Sequence, residues 1–555
     1  MQALCRANGT KTQTNWQSID WKQANRIVRN LRQRIFRATQ QGDWKKARSL
    51  QKLMLRSRSN ILMSVRRVTQ VNQGRKTPGV DKVVVKTPAA RGKLADELAA
   101  FTPWRAKPVR RIYIPKNNGS QTRPLGIPVV QDRCLQAMVK NALEPSWEAR
   151  FEGSSYGFRP GRGCHDAIGK IYSLARPDKT KKWVLDADIK GAFNEISHEH
   201  LLETLGPVPG RELIRQWLKA GYMEAGVFHD TDAGTPQGGV ISPVLMNVAL
   251  HGMEEALGVK HRSDGTLRSK RAIVRYADDF VVFCETQEDA YQAKHVLTEW
   301  LNQRGLTLSE EKTRVVHLTE GFDFLGFNVR HYKVPQTTRT GWKLLIKPSR
   351  KSIQKLRDKL KAEWLKLHGH DACTVTRKLN PIIRGWANYF RVGVSSHTFA
   401  TLDHWMTQRA MRYARRAHPT KPKHWWTRRY FGRLNPSRQD NWVFGDKPSG
   451  AYLLKFGWFP IERHVLVKGR SSPDDPSLKA YWLVREKAKA KALTPSKLKL
   501  ADHQNGLCPQ CGDSLFNDEE IEQHHIVPKK EGGPNTYDNL ELVHFFCHQQ
   551  ITIQS

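Results

Sequence analysis

The sequence predicts a multidomain α+β protein, and three observations carry that prediction. The chain has 555 residues, more than one hydrophobic core ordinarily organises. Its middle holds two β-rich runs around adjacent carboxylates, Ala272-Ile-Val-Arg-Tyr-Ala-Asp-Asp-Phe-Val-Val-Phe-Cys284, while long stretches before and after it have helical periodicity. Cys508, Cys511 and Cys547 crowd the end of the sequence, whereas Cys5, Cys134, Cys164, Cys284 and Cys373 are scattered. That distribution points to a reducing compartment and a small metal-stapled domain, not to a disulfide scaffold.

Lysine and arginine number 92 against 52 acidic residues, a net charge of +40. Self-repulsion on that scale opposes compaction unless a polyanion neutralises it, so nucleic acid is the expected partner. An anionic membrane competes, but no run of about 18 uncharged apolar residues occurs. The cations are also interleaved with Trp, Tyr and Pro, which suits bases and phosphates. No secretory signal peptide is read. The first 42 residues contain one acid, Asp20, superficially like an organellar transit peptide, but the spacing Ala24, Val28, Leu31, Ile35 describes an amphipathic helix. The expected location is the cytoplasm.

From Trp21 to about Val71 the pattern is helical and basic, with Leu50, Leu53, Ile61 and Val65 expected to face inward. After the loop Asn72–Gly79, Arg110–Gly119 and Thr122–Pro128 read as two strands around a turn, carrying Arg111, Lys116 and Arg123. Cations on such a hairpin can hold a triphosphate. Gly153-Ser-Ser-Tyr-Gly-Phe-Arg-Pro-Gly-Arg-Gly163 is glycine-rich with two arginines, a composition that lets backbone approach a phosphate chain. Its spacing is neither Rossmann nor P-loop. Lys182–Ile189 is a strand whose Asp186 and Asp188 share a face. Phe193 follows, and Thr235-Pro-Gln-Gly-Gly-Val-Ile-Ser-Pro243 turns into a buried apolar helix. The Asp278-Asp279 pair at the tip of a hairpin repels itself unless a cation sits there, and a divalent metal is the natural occupant.

Taken in order, the basic hairpin, the Gly-Phe-Arg-Pro-Gly loop, Asp188 with Phe193, the Pro-Gln-Gly turn and Tyr-Ala-Asp-Asp resemble the fingers and palm of a reverse transcriptase, most of all those encoded within group II introns. Arg304–Leu308 and Glu311–Arg314 resemble the next palm segment, and Gly321–Phe327 the hairpin at the base of the thumb. The helical, basic stretch from about Arg350 to Phe444, with Ile353, Leu356 and Leu360 on one face and Arg-Gly-Trp and Asn-Tyr-Phe in Ile382–Phe390, resembles the thumb or maturase domain. Trp425 and Trp426 are adjacent and cannot both point inward from a helix. Beyond Pro476 a Lys- and Ala-rich helical linker is expected to about Lys499. Cys508-Pro-Gln-Cys511 and His544-Phe-Phe-Cys547 have the pairwise spacing of a structural zinc of three Cys and one His. With His524-His525, Gly532-Gly533 and Asn539 between them, the whole resembles the HNH nuclease module, a ββα fold around one catalytic metal.

The resemblance implies a right-hand polymerase with fingers and palm, an α-helical thumb/maturase domain and a small zinc-stabilised HNH domain. The expected boundaries are 1–71 for a basic helical extension, 72–335 for fingers and palm, 336–445 for the thumb/maturase domain, 446–503 for a DNA-binding region and linker, and 504–555 for the nuclease. By the same resemblance Asp188, Asp278 and Asp279 hold two Mg2+ ions, Phe193 is the gate against a 2′ hydroxyl, Gln237 lines the templating pocket, Lys116 and Arg123 bind the triphosphate, and Lys312 donates a proton to pyrophosphate. Asn194 stands where the family usually has Asp. In the nuclease, His525 is the general base, Asn539 orients it, and His524 with His548 holds the metal. The implied partners are a group II intron RNA, target DNA and dNTPs. The alternatives are an RNA-binding splicing cofactor, which three intact carboxylates disfavour, and a reverse transcriptase of another kind with an attached nuclease.

Overall fold

The computed structural model describes residues 13–115, 122–262, 266–335, 340–489, 493–517 and 519–554. Lys116, expected to bind the triphosphate, lies outside them. Among the described residues no helix is long and apolar enough to cross a membrane.

The basic N-terminal segment forms helices Trp21–Gln40, Trp44–Arg56 and Arg58–Arg66. Asp20 and Asp43 start the first two by accepting the backbone N–H of Gln23 and Lys46, the usual work of a short carboxylate at a helix N-terminus. Val28, Leu31 and Ile35 are buried, as their spacing predicts. Leu53 is not: it is 50% exposed. The buried stripe of its helix is Ala47, Leu50, Gln51 and Met54, a three-four rhythm that leaves Leu53 outside. The helical unit also runs past Val71, because helix Pro88–Ala99 lays Leu94, Ala95 and Leu98 into the core that holds Ile61 and Val65.

Strands Val109–Pro115 and Thr122–Ile127 form an antiparallel ladder, extended by Tyr222–Glu224 and Val227–His229. A second sheet is built around Trp183–Lys190. It pairs antiparallel with Asp279–Cys284 on one side and with Arg314–His317 and Thr307–Leu308 on the other, and Ala272–Tyr276 pairs with Asp279–Cys284 to complete the hairpin. Both faces are apolar. Leu185, Ala187, Ile189, Phe280 and Val282 enter one core; Val184, Val281 and Phe283 enter another that continues into the C-terminal helices. Strand alternation then puts Asp186 and Asp188 on the face of Val184, at the end where apolar cover gives way to solvent.

Helices Arg350–Lys366, Ala372–Phe390, Ser396–Ala417 and Lys423–Tyr430 pack beside the hairpin Phe322–Phe324/Phe327–Lys333. Leu356 and Leu360 are buried and Ile353 packs half-buried; Trp426 is buried while Trp425 remains half-exposed beside His418. The small sheet Phe431–Gly432/Val443–Asp446/Ala451–Tyr452 crosses the expected boundary at 446 and leads to Leu453 and Phe456 in the same core.

The expected linker is a docked strap. Helix Lys479–Lys489 buries Trp482, whose indole N–H donates to the Ser472 carbonyl at 2.8 Å, and Arg485 pairs with Asp166 at 3.1 Å. His464 pairs with the same Asp166 at 2.9 Å, and Arg32 of the first helix reaches Asp474 at 2.7 Å. A Lys- and Ala-rich composition gave no hint of these partners, since they come from the distant segments around Asp166 and Arg32.

Candidate active sites

The register of the central sheet sets Asp188 directly across from Asp279. Tyr276 pairs with Asp279, so Ala277-Asp278 is a two-residue turn. Ala277 has φ +58°, a conformation a non-glycine residue adopts only when its surroundings impose it. Buried Arg275 imposes it: its guanidinium donates to the Ala277 carbonyl at 3.2 Å and to Asn247 Oδ1 at 3.0 Å, and Asn247 donates to the Gly157 carbonyl at 2.9 Å. A Cβ on Gly157 would lie 2.3 Å from the Ala277 nitrogen, so only glycine lets this loop lie against the turn. The whole assembly aims Asp278 and Asp279 beside Asp188.

Three carboxylates this close disfavour one another's ionisation. Asp278 is raised by desolvation and then by the charge of Asp188; Asp279 is raised by desolvation and by its hydrogen bond with Asp188. Lys312 bonds Asp188, and that bond raises the Lys312 ammonium. Arg123 contributes positive potential at Asp278 from the basic hairpin. Asp186, on the same strand face, is taken instead by Arg314 at 3.1 Å. Repelling acids beside cations form a donor set suited to hard divalent cations.

A cavity between the basic hairpin and the segment that follows the Asp188 strand is lined by Arg111, Gly126, Phe193, Asn194, Tyr222 and Gln237. Gln237 is fixed through its carbonyl, which accepts the Gly126 N–H at 2.6 Å, and Phe193 through its carbonyl, which accepts Thr235 N–H at 2.6 Å. The Pro-Gln-Gly turn therefore braces both the hairpin and the aromatic ring. Arg111 lies 3.2 Å from the Tyr222 ring centroid. Phe158, exposed at φ +60°, meets Phe193 edge-on at 6.1 Å. Phe158 stands within the glycine-rich loop, and that is the signal by which it could have been singled out.

The two arginines of that loop are bonded within the protein. Arg159 is buried, with Nε and Nη2 each donating to the Glu148 carboxylate at 2.9 Å and Nη1 donating to the carbonyls of Glu152 and Ser155. Arg162 donates to the carbonyls of Gly153, Gly469 and Ser471. Both are internal fasteners: Arg159 ties together the stretch from Glu148 to Ser155, and Arg162 ties Gly153 to the remote segment of Gly469 and Ser471.

In the C-terminal domain, strands Ile521–His525 and Leu540–His544 pair antiparallel and run into helix Phe545–Gln554. The ligand atoms of Cys508, Cys511, His544 and Cys547 lie within 4.8 Å of one another, and all four residues are buried. His544 Nε2 is 3.1 Å from the Ser514 carbonyl and its Nδ1 is 3.4 Å from Cys511 Sγ. An imidazole held this way presents Nδ1 to the thiols, so the donor set fits a thiolate-binding metal. On the hairpin, His524 meets His548 at 5.1 Å between ring centroids, and His548 Nδ1 lies 2.6 Å from Glu522 Oε2. Glu522 shares the strand face of His524, two residues earlier, which is how it could have been found. His525 occupies the other face, with Nε2 3.1 Å from Asn535 Oδ1. Asn539 does not touch the His525 ring. Its side chain bridges the loop, accepting Val527 N–H at 2.7 Å and donating to the carbonyls of Val527 and Pro534 at 3.0 and 2.8 Å.

A sheet end that gathers three carboxylates, a basic hairpin and an aromatic-walled cavity is the working part of a nucleotide polymerase. Four family models match the chain: the N-terminal domain of reverse transcriptase over residues 16–98, reverse transcriptase (RNA-dependent DNA polymerase) over 114–329, the group II intron maturase-specific domain over 353–431, and HNH endonuclease over 508–554. Protein YkfC of Escherichia coli (strain K12) is 33% identical over 316 residues, covering 49% of this chain and 81% of that one. Group II intron-encoded protein LtrA of Lactococcus lactis subsp. cremoris is 32% identical over 295 residues, 42% of this chain and 49% of that one. An uncharacterised 91 kDa protein in a cob intron of Schizosaccharomyces pombe is 29% identical over 382 residues, 56% of this chain and 46% of that one. The match thus spans about half the length of LtrA. The chain belongs to the group II intron-encoded proteins, reverse transcriptase/maturases with a C-terminal HNH endonuclease domain.

Proposed function

We propose that the protein serves intron mobility with three activities: it copies RNA into DNA, it helps its intron RNA fold and splice, and it nicks a target strand to supply the primer. The observation that carries this reading is the convergence of Asp188, Asp278 and Asp279 at one sheet end in a chain that also carries the His524-His525 hairpin.

At the polymerase site the three aspartates would hold two divalent ions, which supply activation of the primer 3′ hydroxyl and charge stabilisation of the departing pyrophosphate. The other residues bind and select. Arg123, together with Lys116, neutralises the triphosphate. Phe193, backed by Phe158, fills the space a 2′ hydroxyl would need, and Gln237 limits the templating pair. Lys312, protonated by virtue of its carboxylate neighbours, hands a proton to pyrophosphate. The helices from Arg350 to Tyr430 act as thumb and as RNA grip, with Arg357 and Arg409 over Trp405 at 6.0 and 4.9 Å.

At the nuclease site His524 and His548 would hold a divalent metal that stabilises the scissile phosphate, and Cys508, Cys511, His544 and Cys547 a structural zinc. Asn535 fixes the His525 ring through Nε2, leaving Nδ1 to take a proton from water. Asn539 acts through the loop, pinning Val527 and Pro534 so that Asn535 stays in reach. The intron RNA performs its own splicing chemistry, so that activity needs no protein carboxylate. The work is done in the bacterial cytoplasm, where intron RNA and target DNA meet. Asp278→Ala is therefore expected to lower primer extension on an RNA template by roughly a thousandfold or more while leaving splicing near the wild-type rate. Equal loss of both in a folded variant would defeat the reading.

A further inference from the structure

The nuclease domain shares a hydrophobic core with the N-terminal helices: Trp16, Trp21, Ile61, Val65 and Val68 pack with Leu515, Leu542, Val543 and the three cysteines. Polar contacts follow the same seam. Asn25 and Arg29 donate to the carbonyls of Cys511 and Gly512 at 3.3 and 3.1 Å, and Gln550 donates to those of Gln17 and Ile19 at 2.8 and 3.1 Å. At its centre Arg66, the last residue of helix Arg58–Arg66, is buried, stacks over the Trp21 ring at 4.7 Å and donates to Cys547 Sγ at 3.0 Å.

If the four ligands hold a divalent zinc, three thiolates and a neutral imidazole leave the centre with a net negative charge inside the protein. A buried anion is costly without a paired cation. The carboxylate paired with Arg66 among the described residues, Glu519 at 3.9 Å, adds negative charge and compensates nothing at the cluster. We infer that Arg66 is the counter-cation of this Cys3His centre, so that metal occupancy of the nuclease domain is coupled to its docking on the N-terminal helices. The inference rests on reading these four residues as a metal site. Without the metal the centre no longer holds three thiolates, so the seam loses its central charge pair and, among the described residues, Glu519 is the ionic partner that Arg66 keeps. Linkage is reciprocal: what the metal contributes to docking, docking contributes to metal retention.

Arg66 is thus a positioning residue, and its test reads metal and interface without nuclease turnover. Zinc content of the full-length protein is measured first, then release to excess chelator for wild type, Arg66→Met and Arg66→Lys. Wild type is expected to carry the metal, Arg66→Met to release it roughly tenfold or more faster, and Arg66→Lys to fall between, since it keeps the charge and loses the planar fork. In wild type, chelation is expected to raise hydrogen exchange across Arg58–Arg66 and around Trp21 and to leave strand Trp183–Lys190 protected. Equal release rates in the three proteins, or unchanged exchange in the helices after metal loss, would overturn the coupling. Wild-type protein purified without any bound metal would overturn the metal site itself. Should Arg66→Met not fold, the wild-type exchange measurement decides alone.

Discussion

Around Asp278 the backbone is fixed by a sheet with apolar residues on both faces, and Arg275 and Asn247 hold the turn from behind. Around His525 there is a hairpin of two five-residue strands and one helix, which is marginal on its own. Its core is largely borrowed from helices more than 400 positions earlier in the chain, around Trp21 and Ile61, and it closes around the cluster of Cys508, Cys511, His544 and Cys547, the metal site proposed above. The same chain therefore positions one site by bulk and the other by a staple and a neighbour. The first should tolerate loss of any one peripheral contact; the second should fail when the staple or the neighbour is removed.

The largest effect is expected where the staple is cut. Cys511→Ser should abolish strand nicking and strip hydrogen-exchange protection from Ile521–His525, because the metal proposed for this cluster would contribute folding free energy outright, while Trp183–Lys190 stays protected. Retained protection in the hairpin would show that the borrowed core suffices. A comparable cost arises from breaking the fully buried Arg159–Glu148 pair. Arg159→Met, read by denaturant unfolding, should lose about 3–5 kcal/mol; a change under about 0.5 kcal/mol would contradict its role as an internal fastener. The smallest effect is a slope. Asp403 accepts the backbone N–H of Phe456 and Gly457 at 2.6 and 2.8 Å, yet burial pushes it from the usual 3.8 up to about 6. Between those values the folded chain holds a proton that the unfolded chain has released, so this contribution is complete below about 3.8 and disappears as pH rises through about 6. Asp403→Asn should flatten that part of the stability curve, and an unaltered slope would contradict the assignment.

What could be read from the sequence is what local pattern encodes. Asp278-Asp279 between two β runs, Asp186 and Asp188 on one strand face, and two Cys/His pairs at short spacing each need only neighbours in the chain, and the structure brings each group together. The misread residues depend on partners far away. Arg162 shows no local sign of its role, because the Gly469 and Ser471 carbonyls that it binds lie about 300 positions on. The strap after Pro476 reads as a free linker because Asp166, which captures Arg485, is equally remote. Asn535 and Arg66 carry no motif at all; one is visible only through its bond to His525, the other only through Cys547.

The central claim is that the two sites are chemically independent while sharing one body. The most direct test assays Asp278→Ala and His525→Ala side by side, on one target duplex and one primed RNA template. The account predicts that Asp278→Ala nicks at the wild-type rate and does not extend, and that His525→Ala extends normally while nicking roughly 10²–10⁴-fold more slowly. Loss of both activities from either substitution, in protein with the wild-type melting temperature, would contradict it.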